Sequence, residues 1–497
     1  MLDRDQWRRR AADLAVDDRA FIDGELVAAV SGETFETRNP ATGALLANVA
    51  ACDAPDVDRA VGAARRVFET GAWSAMAPQE RKRRLLRLAG LVEGHRETLA
   101  LLETLDVGKP IRDSYHIDIP NSATAIAWFA EAIDKVYGEI APTGADALAT
   151  VTREPVGVVG AVVPWNFPLM MAAWKIAPAL AAGNSVVLKP AEQSPLTALY
   201  VASLVAEADI PPGVFNVLPG YGHTAGRAIG LHADVDCVAF TGSTAVGKRF
   251  LEYSGQSNMK RVWLECGGKT PNIVFADCED LDAAAEAAAF AIVFNQGEMC
   301  TAGSRLLVQA SIRDEVLERV AAAMERLQPG DPLDPASPLG AIIDRRQLDT
   351  ILGYIEKGQA EGAVLRTGGR RVMADSGGHF VAPTLFDGVR EDMTIAREEI
   401  FGPVLSAITF EDEHDAVRIA NHSMYGLAAA LWTRDISRAH RVSRALRAGT
   451  VWVNCFDEHD IATPFGGYKQ SGIGRDRSLH AFDKFVETKT TWIALGQ

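Results

Sequence analysis

The sequence predicts an α/β protein in which a parallel sheet is followed by a second, less regular α/β unit. Two observations carry this expectation. Between Val156 and Glu265 short β-rich apolar runs alternate with segments of helical length, and a looser alternation of the same kind fills the second half. A third feature, the β-rich run Phe485–Leu495 near the C-terminus, calls for pairing or cover, for which a subunit boundary is one candidate.

The first alternation contains five candidate strands: VGVVGAVV from Val156, SVVLK from Ser185, VFNVL from Val214, DCVAFT from Asp236 and RVWLE from Arg261. Strands joined by crossover segments pair in parallel and are buried on both faces, so their near-continuous apolar character fits. The intervening segments Leu169–Ala182, Pro195–Ala208, His223–His232 and Thr244–Ser254 read as helices, with Gly183, Gly213 and Gly255 as stops. The second half offers NIVF, SRLLV, VLSAITF, LAAALW and TVWVN as strands. Residues 133–153 are a candidate partner for the C-terminal run in a small third unit.

At 497 residues, with 48% hydrophobic and 23% charged residues, the chain can bury several cores. Its formal charge of −15 repels duplex nucleic acid and anionic membranes, so neither is expected as a partner. The six cysteines form no C-x-x-C pair, which argues against a disulfide framework or a zinc knuckle, and no metal ligands are assigned. Residues 1–20 mix acids and bases without an apolar run, and Val156–Ala182 is broken by Pro164, Asn166, Pro168, Lys175 and Pro178. Neither export nor a membrane span is expected, and a reducing, cytoplasmic setting is the simplest reading.

Ligands of open parallel sheets bind beyond the carboxyl ends of the strands, where the reactive residues of this chain collect. Pro164-Trp165-Asn166 follows the first strand, Lys189-Pro190-Ala191-Glu192 the second, Thr241-Gly242-Ser243 the fourth, and Glu265-Cys266-Gly267-Gly268 the fifth. GSTAVG, from Gly242, opens a helix whose free N–H groups suit a pyrophosphate, although a plain Gly-rich turn explains it equally well. Glu192 can accept hydrogen bonds from ribose hydroxyls and would oppose a 2′-phosphate; this favours NAD, with NADP possible. Cys300, in FNQGEMCTAGSR, sits among small residues that suit a nucleophile. Inert burial is the reading for Cys52, Cys237 and Cys278, and neither Cys266 nor Cys455 has an evident role. A cysteine hydrolase would need a histidine, for which only His459 is a candidate.

Taken together, PWNFP, KPAEQSP, FTGSTAVG, LECGGK, NQGEMC and EEIFGP resemble the aldehyde dehydrogenase superfamily, from about Phe21 to the C-terminus. The resemblance implies the aldehyde dehydrogenase fold: a Rossmann-type NAD-binding domain (residues 1–132 and 154–265), a catalytic domain (266–466) and a small β oligomerisation domain (133–153 and 483–497). It implies a homodimer or homotetramer, with Cys300 as nucleophile, Glu265 as general base, and Asn166 with the Cys300 N–H as oxyanion donors. By the same resemblance Trp165, Lys189, Glu192, Gly242, Ser243, Glu399 and Phe401 would hold the dinucleotide. Lys175 and Asp476 would assist proton transfer, and Thr37, Asp106 and Gln193 would map to a monovalent-cation site. Cys266 and Thr270 depart from the family pattern and leave Glu265 and both glycines in place.

Several longer runs, among them GGYKQSGIGRDRSLHA, are similar to bacterial dehydrogenases of γ-glutamyl-γ-aminobutyraldehyde, guanidinobutyraldehyde and aminobutyraldehyde. That similarity implies an apolar tunnel of Phe167, Met171, Trp174, Met299 and Phe456, with Asp457, Glu458 and Asp460 at an acidic mouth that attracts a cationic aldehyde; a solvated acidic loop is the alternative. The alternative function is a general aliphatic or betaine-type aldehyde dehydrogenase. A CoA-acylating enzyme usually lacks the base found here as Glu265, and a binding descendant need not keep Cys300, Glu265 and Asn166.

Overall fold

The computed structural model describes residues 1–496. All five runs of the first alternation form strands: β1 (Val158–Val162), β2 (Ser185–Lys189), β3 (Phe215–Val217), β4 (Cys237–Thr241) and β5 (Arg261–Glu265). They pair in parallel in the order β3-β2-β1-β4-β5, so the order reverses at β1. An antiparallel hairpin, Ala20–Ile22 with Glu25–Val27, extends the β3 edge, and Gly472–Ile473 extends the β5 edge. Every residue of β1, β2, β3 and β4 is buried, as a parallel sheet covered on both faces requires.

Helix α1 (Pro168–Ala182) begins on Pro168, whose missing N–H costs nothing in the first turn, and ends at Gly183, whose φ of +102° closes the helix. Helices α2 (Leu196–Glu207) and α3 (Thr244–Gln256) follow β2 and β4. Two expected stops lie elsewhere. Gly255 is the exposed penultimate residue of α3, which ends one residue beyond it at Gln256, and Gly213 serves the later turn into β3, after α2 has ended at Glu207. The expected helix over His223–His232 is a π-turn, Gly222–Gly226, running into the short helix Arg227–Leu231.

The second sheet takes up all five later runs. It comprises β6 (Pro271–Val274), β7 (Arg305–Gln309), β8 (Thr384–Asp387), β9 (Val404–Phe410), β10 (Ala428–Trp432) and β11 (Thr450–Val453), parallel in the order β8-β9-β7-β6-β10-β11. Val364–Thr367 lies antiparallel beside β8. From β5 the chain enters the second sheet through the short segment Cys266–Thr270, clamped by Ser471: its Oγ donates to the Gly267 carbonyl at 2.7 Å and its own carbonyl accepts from the Cys266 N–H at 2.8 Å. The C-terminal run, Val486–Ala494, pairs antiparallel with Ala147–Pro155 of its own chain, and that strand pairs with Glu139–Ala141. No described helix is long and apolar enough to cross a membrane.

The sheet is packed tightly enough to test. A Cβ added at Gly160, in β1, would lie 2.4 Å from Ile229 Cγ2. Gly160→Ala is expected to destabilise the protein by about 1–3 kcal/mol through overpacking. Thermal unfolding followed by circular dichroism should show a midpoint lowered by some degrees; an unchanged midpoint would mean that this contact does not constrain the sheet.

Candidate active site

Three of the strand ends meet at one cavity of about 720 Å³. Pro164–Asn166 from β1, Thr241–Ser243 from β4 and Glu265–Gly267 from β5 line it, and the second half of the chain contributes Met299–Thr301, Glu399, Phe401 and Phe456–His459. The route by which Cys300 arrives is unusual. After helix α4 (Leu281–Val293) the residues Asn295, Gln296 and Gly297 have φ of +47°, +58° and +70°. Asparagine tolerates this left-handed region, whereas glutamine in it stores about 1–3 kcal/mol of strain that its surroundings must offset. They do so by hydrogen bonds: Asn295 Nδ2 donates to the Asn166 carbonyl at 3.0 Å and the Glu298 carbonyl at 3.2 Å, and Gln296 Oε1 accepts from the Gly340 N–H at 3.1 Å. Gly297 has no substitute, because a Cβ there would lie 2.4 Å from the Gly402 backbone.

The reversal sets Cys300 opposite Glu265. Burial pushes the Cys300 thiol well above its usual pKa, and the nearby carboxylates Glu265 and Glu399 add to the effect. Glu265 is buried, and among the described residues neither oxygen has a hydrogen-bond partner beyond the facing Cys300 thiol; burial pushes it up to about 8, against a downward pull from Lys175. A thiol and an unsatisfied carboxylate that share one cavity form a nucleophile with an adjacent proton acceptor. Asn166 Nδ2 donates to the Glu298 carbonyl at 2.7 Å, leaving its second N–H available, and the Cys300 backbone N–H has no acceptor among the described residues. These two donors can receive developing negative charge on a reacting oxygen.

On one side of Cys300 the cavity runs to the N-terminus of α3, which Ser243 caps by accepting from the Val246 N–H at 3.3 Å. The open N–H groups of that first turn suit a phosphate. Glu399 accepts from the Gly268 N–H at 3.1 Å, and burial pushes it up to about 7. Gly267 gives it room, since a Cβ there would lie 2.0 Å from Glu399 Oε2. Phe401, at φ +56°, meets Trp165 edge to face at 5.2 Å. Lys189 is fully buried; it donates to the Pro190 carbonyl at 2.6 Å and lies 3.5 Å from Glu192. Neither Lys189 nor Glu192 lines the cavity, whereas Trp165, Gly242, Ser243, Glu399 and Phe401 do. A helix N-terminus, a flat glycine floor and paired aromatic rings form a donor set that fits a dinucleotide.

On the other side Phe167, Met171, Trp174, Met299, Phe456 and Asp457 line the cavity. Asp460 does not. It is exposed and turns back on its own loop, accepting from the Ala462 N–H at 2.7 Å, so its carboxylate serves the turn and Glu458 and His459 stand at the wall instead. Sequence reasoning missed Ile117, Phe465 and Arg477, which line the cavity from distant segments. Only Arg477 left a signal, as the second arginine of GRDRS in a run already singled out. Asp476 bonds both Lys175 and Lys484; burial alone would raise its pKa, but the two lysines hold it down to about 2. Thr37 Oγ1 donates to Asp106 at 2.7 Å and the Leu196 N–H donates to its other oxygen at 2.8 Å, while Gln193 lines the main cavity instead of joining them. Of the cysteines read as inert, Cys52 and Cys237 are buried, but Cys278 is partly exposed; Cys266 lines the cavity beside Cys300.

A doubly wound parallel sheet joined to a second parallel sheet, with a cysteine facing a buried glutamate at their seam, defines a class of thiol-dependent enzymes with a nucleotide crevice. The chain belongs to the aldehyde dehydrogenase family, whose model matches residues 26–491. It is 54% identical over 489 residues to the NADP/NAD-dependent aldehyde dehydrogenase PuuC of Escherichia coli K12, covering 98% of each chain. Among solved structures it is similar to an indole-3-acetaldehyde dehydrogenase complexed with NAD+ (60% identity, TM-score 0.99, 100% of each chain). A γ-glutamyl-γ-aminobutyraldehyde dehydrogenase from Burkholderia cenocepacia J2315 matches with 58% identity and a TM-score of 0.98, again over 100% of each chain.

The raised pKa of Glu265 has a kinetic consequence. A carboxyl with a pKa of about 8 gains its basic form only as pH rises. A step that needs this base should therefore accelerate about tenfold between pH 7 and pH 9. Single-turnover release of the acid product measures it, and a flat profile over that range contradicts a buried, unpaired base.

Proposed function

We propose that this protein is an NAD-dependent dehydrogenase, able also to use NADP, that oxidises ω-amino, guanidino or γ-glutamylamino aldehydes of polyamine and arginine breakdown to their carboxylic acids. The observation that carries this reading is the cavity itself: an apolar tunnel leads from Cys300 to the carboxylates Asp457 and Glu458, a wall suited to a nitrogen-bearing tail. PuuC and the Burkholderia enzyme, similar along the whole chain, point the same way.

Cys300 passes its proton to Glu265, which releases it to solvent, and the sulfur bonds to the aldehyde carbon as the C=O π pair moves onto oxygen, where Asn166 Nδ2 and the Cys300 N–H hold the charge. Trp165, Lys189, Glu192, Gly242, Ser243, Glu399 and Phe401 would hold a nicotinamide dinucleotide, which would supply the acceptor for the hydride that this carbon must lose. The acyl group then remains on sulfur as a thioester. Glu265 takes a proton from water, the water oxygen bonds to the acyl carbon, the C–S bond breaks and the acid leaves. Lys175 and Asp476 set the local charge against which Glu265 titrates. The first sheet serves as the NAD-binding domain, the second as the catalytic domain, and the strands of residues 133–153 and 483–497 as the oligomerisation domain of a homodimer or homotetramer. The exposed Trp492 and Ile493 on the C-terminal edge strand support that last role. Six unpaired cysteines favour a reducing cytoplasm.

A second reading, an aromatic aldehyde as substrate, is favoured by the ring-rich wall of Phe167, Trp174, Phe294, Phe456 and Phe465 and by the indole-3-acetaldehyde dehydrogenase structure.

NADH formation with γ-aminobutyraldehyde, guanidinobutyraldehyde, γ-glutamyl-γ-aminobutyraldehyde, indole-3-acetaldehyde and propanal separates these readings. The nitrogen-bearing aldehydes are expected to have the highest kcat/KM; if indole-3-acetaldehyde leads, the second reading holds, and if propanal leads, both fall. Cys300→Ala should lose at least about 10³-fold in kcat. Glu265→Gln should give one burst of NADH and then stall, and steady turnover in that variant excludes Glu265 as the deacylating base.

A further inference from the structure

Arg477 has no place in the mechanism above, yet it is the strangest side chain of the cavity. It is 4% exposed, its guanidinium stacks 5.1 Å from the Trp174 ring and 5.0 Å from the Phe465 ring, and it faces the lumen. Aromatic faces steady a cation but accept no hydrogen bonds along its edge. Among the described residues the buried Nε has no partner and no carboxylate comes within 4.0 Å of the guanidinium. The nearby acids are engaged or set apart: Asp476 is bonded by Lys175 and Lys484, Asp460 turns into its own loop, and Asp457, on the lumen wall, stops short of an ion pair. A buried guanidinium with a vacant planar fork, held between two rings, matches a carboxylate that arrives with a ligand.

We propose that Arg477 is the receptor for a carboxylate on the far end of the aldehyde, so that the preferred substrates carry an amino-acid head group, its carboxylate on Arg477 and its ammonium toward Asp457 and Glu458. This deepens the proposed function and rests on it: of the three aldehyde types named there, it selects the γ-glutamylamino type. A simple ω-amino aldehyde would satisfy the acidic wall and leave Arg477 unpaired. The carboxylate removes that unpaired charge at the moment of binding, and the rings fix the plane in which it docks.

Matched aldehydes test this directly. In N-(γ-glutamyl)-4-aminobutanal the head carries both groups; the N-(4-aminobutanoyl) analogue lacks only the carboxylate, the N-glutaryl analogue lacks only the amine, and the N-butanoyl analogue lacks both. In the wild-type enzyme, removing the carboxylate should lower kcat/KM at least about 30-fold, equivalent to about 2 kcal/mol at 1.4 kcal/mol per tenfold. Most of the loss should fall on KM. In Arg477→Gln the ratio between the paired compounds should shrink to within about threefold, and Arg477→Lys should keep part of it. If Arg477 only packs the wall, all four compounds suffer together and the ratio in Arg477→Gln equals that of the wild type, which overturns the proposal. Should Arg477→Gln fail to fold, the wild-type ratio still decides, because indifference to the carboxylate also overturns it. Propanal outpacing all four amides would remove the proposed function, while the carboxylate ratio would continue to report on Arg477.

Discussion

The left-handed run Asn295–Gln296–Gly297 is the constraint on which the site depends. It ends α4 abruptly and turns the chain back so that Cys300 faces the strand ends of the other sheet. The strain in this run is offset by bonds that also position the chemistry: the amide of Asn295 reaches the carbonyl of Asn166, and both amides meet on the Glu298 carbonyl. Relaxing the turn would release Asn166 and Cys300 together. The Asn166 amide and Cys300, to which the proposed mechanism gives the roles of donor and nucleophile, are therefore held by one network, which keeps their geometry fixed before substrate arrives.

Around that turn the protein leaves several polar groups unsatisfied. Among the described residues both oxygens of Glu265 lack partners apart from the facing Cys300 thiol, and the Arg477 Nε has none. Burying such groups costs stability, and two parallel sheets whose central strands are buried supply the rigidity that keeps them in place. The contrast with Asp476 is instructive. Two lysines surround it and hold it ionised, so it behaves as a structural anchor, whereas Glu265, only a short way off and without a direct partner, has its pKa raised toward the range of a working base. Different surroundings give two neighbouring carboxylates opposite protonation behaviour.

Much of this was legible in the sequence. All ten strand candidates of the two sheets are strands, because parallel sheets bury both faces and their apolar runs stand out. Residues just beyond β1, β4 and β5 could be named as cavity candidates for the same topological reason. The failures have physical causes as well. Gly255 reads as a stop but is the penultimate residue of α3, since a last helical turn is set only to within a residue or two; the two-residue strand Gly472–Ile473 is too short to leave a periodicity; and Asp460 was grouped with Asp457 by charge, although its carboxylate is spent on a local turn. Arg477 stands in a run the sequence singles out, but its place in the cavity was not legible there, because its environment is built by Trp174 from a distant segment and by Phe465 across a loop.

The central claim is that Cys300 carries the acyl group and depends on Glu265 to release it. Intact-mass spectrometry of the Glu265→Gln protein, mixed with aldehyde and NAD and quenched in acid, tests it most directly. The account predicts one acyl adduct per chain, mapped by peptide digestion to the Cys300 segment. No adduct, or an adduct on Cys266 instead, would contradict it.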